Sequence, residues 1–238
     1  MATGRRGLRP ALRPPVSSMP PDTGRGSYDG VVSEHPDLAW QPSLLDGGEI
    51  EIDPGFAGLR RRELAEGAWV EHVPGWCRGA DALFAQLLAE TPWRGRDVRM
   101  YDRTLPEPRL THRWRIDVGD PPPDRLRAMA RVLGGRYGVE FSQVGVNLYR
   151  DGADSVAWHG DRVARELPEA VVALVSLGAT RPFRLRPAGG GASVGYLPGR
   201  GDLLVMGGSC QRTWQHSVPK TRAAGPRISV QFRHAYER

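Results

Sequence analysis

The sequence predicts a mainly β protein of the α+β class, in which an antiparallel barrel or jelly roll follows an N-terminal α/β extension. From residue 143 onward, short apolar runs are broken by Gly and Pro, and no helix-length segment separates them. Before residue 143, two segments have the apolar spacing of amphipathic helices. The chain of 238 residues is long enough for one sizeable domain.

Composition limits the class of protein further. The net charge of +6 and the pI near 9.9 favour a polyanionic partner. The sequence contains no run of eighteen apolar residues, which argues against a membrane span. Two cysteines, Cys77 and Cys210, are too few for a disulfide framework. This cysteine content fits the reducing cytoplasm, where we expect the protein to be located. We also expect a monomer.

The N-terminal half divides into a tail and an extension. Residues 1–46 are rich in Pro, Gly, Arg and Ser and lack apolar periodicity, so we predict a disordered basic tail. Residues 47–142 form the predicted extension. Its predicted elements are strands at 49–53, 68–72 and 98–101, helices at 80–90 and 123–134, and a polar loop at 102–115.

Residues 143–238 form the predicted core domain. Its strands lie too close together in the sequence for the helical crossovers of a parallel sheet, so we expect antiparallel pairing. The predicted strands are 143–149, 170–177, 183–186, 194–197, 202–206 and 227–233, with a further short strand near His216.

Two histidines and an aspartate in this core suggest a metal site. His159 and Asp161 are two residues apart, which places both side chains on one face of an extended segment, while His216 returns from another strand. Two imidazoles and one carboxylate on one face of an octahedral ion are typical of non-haem Fe(II) oxygenases. The same residues also suit a catalytic zinc ion. A third reading is a surface or helix-cap His-x-Asp pair that binds no metal.

Two further strands carry polar residues on one face. Alternation in the last strand places Arg227, Ser229, Gln231 and Arg233 opposite the apolar residues. A pair of arginines suits a dicarboxylate ligand. In the strand at 143–149, alternation places Asn147 and Tyr149 together, where both can donate hydrogen bonds to a carboxylate. The alternative is an ordinary strand whose polar face is exposed to solvent.

Taken together, the motifs resemble the AlkB family of Fe(II)- and 2-oxoglutarate-dependent dioxygenases, closest to the branch that repairs alkylated DNA and RNA. The resemblance covers roughly residues 95–238, in the order and approximate spacing of the family. The segments that carry it are Pro108–Thr111, Asn147-Leu-Tyr149, His159-Gly-Asp161, Ser176–Arg184, Trp214-Gln-His216-Ser-Val-Pro-Lys220 and Arg227-x₅-Arg233.

The resemblance implies a double-stranded β-helix preceded by a nucleotide-recognition extension. It implies that His159, Asp161 and His216 bind Fe(II), and that Arg227 binds the distal carboxylate of 2-oxoglutarate with help from Tyr149. Near the co-substrate and the iron it places Asn147, Ser229 and Arg233. The implied reaction is oxidative dealkylation, in which O2 and 2-oxoglutarate give succinate and carbon dioxide and an N-methyl group leaves as formaldehyde.

Two positions depart from the family pattern. Many members carry an acidic residue two positions after the metal-binding aspartate, where it helps to recognise the damaged base, and here that residue is Val163. The preferred alkylated base is therefore left open. Ser229 stands where asparagine is frequent, and we expect this exchange to leave co-substrate binding intact.

An enzyme of this kind must take a base out of the helix or act on a single strand, so it needs stacking groups and cations at its rim. Single- or double-stranded DNA, or RNA, is the implied partner. Candidate substrate contacts are Tyr101, Arg103, Arg109, Trp114, Arg162 and Arg181, each of which is otherwise a core or solvated residue; Trp69, Trp76 and Trp93 are predicted to lie in the core.

Three hypotheses follow. The first is a nucleic-acid demethylase, and the second is a dioxygenase of the same chemistry that acts on a protein or a small molecule. The third is a metal-binding jelly-roll protein without turnover that binds nucleic acid through its charge.

Overall fold

The N-terminal half contains two helices and seven strands among the residues that the structure describes. The computed structural model describes residues 38, 40, 48–95, 97–100, 103–161, 167 and 169–234, and only the backbone of 97–100 and 103–106. The elements are β1 (Glu51–Ile52), β2 (Arg60–Glu63), a 3-10 turn (Ala65–Gly67), β3 (Ala68–Val73), β4 (Cys77–Arg78), α1 (Ala80–Glu90), β5 (Asp97–Met100), β6 (Arg103–Pro106), β7 (Leu110–Arg115) and α2 (Asp124–Tyr137).

The C-terminal half is built from strands and one short helical turn. Its elements are β8 (Gln143–Tyr149), β9 (Val156–His159), β10 (Val172–Gly178), β11 (Phe183–Pro187), β12 (Val194–Tyr196), β13 (Leu203–Gly208), α3 (Cys210–Thr213), β14 (Trp214–Val218) and β15 (Arg227–Arg233). The predicted strands of this half are all present, with ends shifted by at most two residues.

Two antiparallel sheets form the body of the fold, as predicted for a jelly roll. The larger sheet has the order β2-β3-β13-β10-β15-β8-β7, and the smaller has the order β12-β11-β14-β9. Inward-facing residues of the two sheets meet in one apolar cluster, which includes Val172 and Leu174 of the larger sheet and Phe183 and Leu185 of the smaller. Pairs β1-β4 and β5-β6 form two small additional sheets.

The outer face of the larger sheet packs against both helices. Alternate residues of β8 and β15 are fully buried there, together with the apolar faces of α1 and α2. This confirms the predicted alternation, since the opposite face of the same two strands carries the polar residues. The buried residues of these two strands are Val144, Val146, Leu148, Ile228, Val230 and Phe232.

Helix α1 has the predicted bounds, whereas α2 runs beyond its predicted end. The sequence predicted that Gly134 and Gly135 would end α2, but the helix ends at Tyr137. Gly138 is the residue that adopts the left-handed conformation, with a φ of 65°, and its N–H donates to the carbonyl oxygen of Gly134. A Cβ at Gly134 would lie 2.7 Å from the carbonyl oxygen of Val139, so this glycine allows a close approach of the backbone.

The predicted loop at 102–115 is wrong, because it contains β6 and β7. Strand β7 pairs along its whole length with β8, and only Leu110 and Trp114 carry its apolar alternation. Strand β2 was also missed, because all four of its residues are charged and exposed. Strands β2 and β7 are the two edge strands of the larger sheet, where the hydrophobic pattern is weakest.

The predicted boundaries between tail, extension and core also differ from the structure. Strand β3 of the extension pairs with β13, and β7 pairs with β8. One sheet therefore contains strands from both sides of the predicted boundary at residue 142. Leu38 and Trp40, within the predicted tail, pack against the core, and the Trp40 ring lies 4.6 Å from the ring of Phe84. The rest of the tail lies outside the described residues. Among the described residues, no helix has the length and apolarity needed to span a membrane.

Candidate active site

The predicted metal-binding residues come together between β9 and β14. His159 and His216 are directly paired across these strands, and their ring centroids are 4.3 Å apart. Asp161 lies two residues beyond His159, and the possible ligand atoms of the three side chains are all within 4.8 Å of one another. The spacing in the sequence therefore indicated a real cluster.

Protonation of the cluster suits a divalent metal ion. The Nδ1–H of His159 donates to the carbonyl oxygen of Ala157 at 2.8 Å, which leaves Nε2 to bind a metal. Burial lowers the pKa of His216 to about 4, so its imidazole is neutral. Burial opposes ionisation of Asp161, but nearby Arg233 and the two histidines outweigh it and lower the pKa of the carboxyl group. Two imidazole nitrogens and one carboxylate are ligands that Fe(II) accepts.

A hydrogen-bonded row of side chains on β15 leads from the metal cluster into the interior. Arg233 donates from Nη1 to Asp161 Oδ1 at 3.1 Å and from Nη2 to Gln231 Oε1 at 3.3 Å. Gln231 in turn donates from Nε2 to Ser229 Oγ at 2.7 Å. Asn147 is paired with Ser229 across β8 and β15 and lines the same cavity.

Arg227, at the opposite end of β15 from Arg233, is a buried cation without an anionic partner among the described residues. Only 1% of the residue is exposed, and its Nε donates to Ser176 Oγ at 2.9 Å. Neither Nη1 nor Nη2 has a hydrogen-bond partner among the described residues. Burial lowers the pKa of Arg227 to about 10, so the group is still charged at neutral pH. Because an unpaired buried charge is costly, the site is suited to a ligand carboxylate.

One cavity joins the metal cluster to Arg227. Its volume is about 430 Å³, and its wall includes all the predicted metal and co-substrate residues. Apolar side chains complete the wall, among them Leu174, Phe183 and Met206. The ring of Phe183 stacks on His216 with 5.4 Å between centroids, which restricts the orientation of the imidazole. The predicted residues are Asn147, Tyr149, His159, Asp161, His216, Arg227, Ser229 and Arg233.

The predicted substrate contacts do not all line the cavity. Arg109 lines the cavity, and its Nη2 pairs with Glu107 Oε1 at 2.5 Å. Glu107 also lines the cavity and was not predicted, because a single acidic residue in a Pro-rich segment has no diagnostic pattern. The backbone between them is fixed to the segment before β9, since Ser155 N donates to Pro108 O at 2.8 Å.

Arg181 does not lie at the mouth of the cavity, which corrects the sequence-based expectation. Its guanidinium group is buried and donates to the carbonyl oxygens of Asp151 and Asp154 at 2.7 Å and of Pro219 at 3.0 Å. These bonds tie together two loops that flank the barrel. The role that the geometry supports for Arg181 is structural, because a guanidinium used in this way does not reach a phosphate.

Trp114 is also placed differently from the expectation, since it belongs to the apolar core and its ring packs edge-on against His112 at 4.5 Å. Of the predicted core tryptophans, Trp76 and Trp93 are buried and Trp69 is partly buried. Outside the described residues, or described by backbone alone, lie Tyr101, Arg103, Arg162 and Val163.

Comparison with known proteins agrees with this geometry. Residues 109–233 match the 2OG-Fe(II) oxygenase superfamily. Alpha-ketoglutarate-dependent dioxygenase alkB homolog 3 from Bos taurus is 33% identical over 218 residues, which cover 82% of this chain and 74% of that protein. The DNA oxidative demethylase ALKBH2 from Homo sapiens is 32% identical over 110 residues, or 42% of each chain.

Among solved structures, a prolyl-4-hydroxylase from Pseudomonas putida is 19% identical, covers 70% of this chain and 92% of that chain, and superposes with a TM-score of 0.47. The match to alkB homolog 3 extends well beyond the metal-binding motifs, since it covers most of the chain. The match to the 2OG-Fe(II) oxygenase superfamily selects iron over zinc, which the residues alone left open. The chain therefore belongs to the AlkB family of 2OG-Fe(II) oxygenases and is a non-haem iron dioxygenase that uses Fe(II), 2-oxoglutarate and O2.

Proposed function

We propose that the protein removes alkyl groups from ring nitrogens of bases in DNA or RNA by oxidative dealkylation. The observation that carries the proposal is the single cavity that contains the His/Asp/His cluster, an unpaired buried arginine and, at Glu107 and Arg109, a charged pair. The names of the relatives, an alkB homolog and a DNA oxidative demethylase, support the same substrate class.

Different residues of the cavity would bind the co-substrate and the metal. Arg227 and Tyr149 would hold the distal carboxylate of 2-oxoglutarate, since the two terminal nitrogens of Arg227 have no hydrogen-bond partner within the described part of the chain. His159, Asp161 and His216 would hold Fe(II). When bound, Fe(II) supplies the oxidation in which O2 and 2-oxoglutarate become succinate and carbon dioxide while an N-methyl carbon gains a hydroxyl group. The bond between the ring nitrogen and this hydroxylated carbon then breaks, which releases formaldehyde and restores the base.

The charges on the cavity wall suit a flipped base attached to phosphates. Besides Arg227 and Arg233, three arginines line the cavity among the described residues: Arg94, Arg109 and Arg113. Such cations favour a polyanion at the mouth. Glu107 is the one described carboxylate of the wall that the metal does not need. It provides a partner for the positive charge that adenine carries after methylation at N1 and cytosine after methylation at N3.

A panel of methylated oligonucleotides tests the proposal. We expect single-stranded DNA with 1-methyladenine or 3-methylcytosine to lose the mass of a methylene group and to release formaldehyde in the presence of Fe(II) and 2-oxoglutarate. His216→Ala, which leaves two metal ligands, should show no turnover. If no methylated DNA or RNA loses mass while the protein still converts 2-oxoglutarate to succinate, the proposal fails and a protein or small-molecule substrate takes its place. Cytoplasmic location and a monomeric state stay predictions.

A further inference from the structure

Asp161 is the one predicted metal ligand that lies outside the strand ladders. Strand β9 ends at His159, and within the described part of the chain no strand pairs with the backbone of Asp161. Instead, the N–H of Asp161 donates to the side-chain Oε1 of Gln211 at 3.0 Å. Gln211 belongs to the turn α3 and is 6% exposed. A single buried amide therefore provides the contact that a strand would otherwise provide.

The nitrogen of the Gln211 amide determines which amide atom faces Asp161. Its Nε2 lies 3.7 Å from the sulfur of Met206 on the neighbouring strand β13, where it acts as the donor. The amide therefore spans the space between a cavity-lining strand and the metal-binding segment. With Nε2 directed at sulfur, Oε1 is the atom left to accept the hydrogen bond from Asp161.

The backbone of α3 also packs against the metal-binding segment. A Cβ placed on Gly160 would lie 3.3 Å from the carbonyl oxygen of Gln211 and 3.5 Å from that of Trp214. The segment from His159 to Asp161 therefore lies directly on the turn. Because β14 and His216 follow this turn immediately in the chain, α3 connects the third ligand to the first two.

The turn itself is anchored to the N-terminal half of the protein. Ser209 Oγ donates to the carbonyl oxygen of Glu66 at 2.5 Å, and Trp214 Nε1 donates to that of Ala65 at 3.3 Å. Both acceptors lie in the 3-10 turn before β3, which is part of the larger sheet. The turn that contains Gln211 is thus held by hydrogen bonds at both of its ends, through Ser209 and Trp214.

We propose that Gln211 is a positioning residue of the metal centre, which holds the backbone of Asp161 so that its carboxylate is at the ligand position before the metal binds. Arg233 holds the carboxylate itself through Oδ1, so backbone and side chain of Asp161 are fixed by different residues. Without Gln211, Arg233 still binds the carboxylate of Asp161, but no side-chain hydrogen bond holds the backbone of Asp161 in place. This role concerns the metal and is independent of which substrate the enzyme uses.

The test compares Gln211→Met, which keeps the length of the side chain but removes the acceptor, with Gln211→Glu, which keeps an acceptor oxygen. Co(II) added without oxygen serves as a spectroscopic probe of the site, and its affinity is measured by titration. We expect Gln211→Met to bind Co(II) roughly 10- to 100-fold more weakly, the loss typical when a residue that orients a metal ligand is removed. Gln211→Glu should stay close to wild type.

Two controls separate positioning from a general loss of structure. Gln215→Met on the outer face of β14 changes the same residue type, but its amide contacts Arg186 rather than a ligand segment, so Co(II) affinity should not change. The melting temperature without metal reports the fold. Wild-type affinity in Gln211→Met would overturn the proposal. Equal weakening in both Gln211 variants with a matching loss of melting temperature would also overturn it and assign Gln211 a purely structural role.

Discussion

The guanidinium carbon of Arg227 lies 5.3 Å from the ring centroid of Tyr149, and both residues are buried in the wall of the cavity. Burial raises the pKa of Tyr149 and lowers that of Arg227 to about 10. At neutral pH the pair is therefore a neutral phenol beside a cation. Since the two terminal nitrogens of Arg227 lack partners among the described residues, the pair is prepared for an incoming carboxylate.

Replacing Arg227 by lysine should raise the KM for 2-oxoglutarate by about 10-fold or more, with a smaller effect on kcat. Lysine keeps a positive charge, but it loses the planar group that makes two parallel hydrogen bonds to a carboxylate, each charge-assisted bond contributing about 1.5 to 3 kcal/mol. Succinate release at varied 2-oxoglutarate concentration measures this. Arg184→Lys, at an exposed position on β11, is the matched control and should leave the KM unchanged. An unchanged KM in Arg227→Lys would show that the carboxylate is bound elsewhere.

The placement of the candidate metal and co-substrate residues on one face could be predicted because strand alternation determines which side chains lie together. In β15, the period of two places Arg227 and Arg233 on the cavity side regardless of how the sheet is ordered. The pairing of His159 with His216 could not be derived in this way, since it depends on which strands are neighbours. The resemblance to a family supplied that information.

The substrate side of the site was predicted less well, because residue type does not reveal burial. Arg181 and Trp114 have the chemistry of nucleic-acid contacts, yet one binds backbone carbonyls and the other lies in the core. Glu107 and Gln211 are single polar residues without a periodic pattern. Their roles depend on side-chain contacts with Arg109 and Asp161, and no sequence pattern reveals these contacts.

Replacing Glu107 by glutamine should reduce turnover of positively charged lesions more than turnover of neutral ones. The carboxylate pairs with Arg109 in the cavity wall and can exchange this partner for a cationic base. Glutamine has the same size without the charge, so kcat/KM for 3-methylcytosine should fall roughly 10-fold. For 3-methylthymine, which is uncharged, it should change little. The measurement is mass loss of two oligonucleotides that differ only in the lesion.

A matched variant distinguishes base recognition from an indirect effect through Arg109. Glu107→Asp keeps the charge on a shorter side chain and should retain the preference for the charged lesion at a lower rate. The KM for 2-oxoglutarate should be the same in both variants, because Arg227 is untouched. Equal losses on charged and neutral lesions would show that Glu107 only orients Arg109.

Replacing Trp40 by alanine should destabilise the protein by roughly 1 to 3 kcal/mol, less than the full cost of removing a buried tryptophan because the residue is partly exposed. The indole packs on Phe84 of α1, and its loss uncovers apolar surface of that helix. The segment predicted as a disordered tail, residues 1–46, therefore contains a residue that packs on α1. Urea unfolding of Trp40→Ala beside a variant that lacks residues 1–37 measures the difference. A urea unfolding curve of Trp40→Ala equal to that of wild type would contradict this contact.

Asp202 should make stability depend on pH below about pH 4. Its carboxylate accepts hydrogen bonds from His72 Nε2 at 2.8 Å and from the N–H groups of Gly75 and Gly199 at 2.9 Å. Burial opposes ionisation of Asp202, but these donors outweigh it and lower the pKa of its carboxyl group. The stabilisation is therefore complete above the pKa of the unfolded chain, about 3.9, and is lost as the pH falls through the lower folded value.

Asp202→Asn should consequently lower the free energy of unfolding at pH 7 by roughly 1 to 3 kcal/mol, because it weakens a partly buried set of charge-assisted hydrogen bonds. The decline of stability below about pH 4 should be shallower than in wild type, since the variant has no proton to bind at this position. Urea unfolding at pH 7, 5, 4 and 3 gives both quantities. Asp120→Asn, in the exposed loop before α2, is the matched control and should follow the wild-type curve. If Asp202→Asn shows the wild-type slope between pH 5 and 3, the carboxylate contributes nothing to acid stability, and the bonds to His72 and the two glycines act only as a turn.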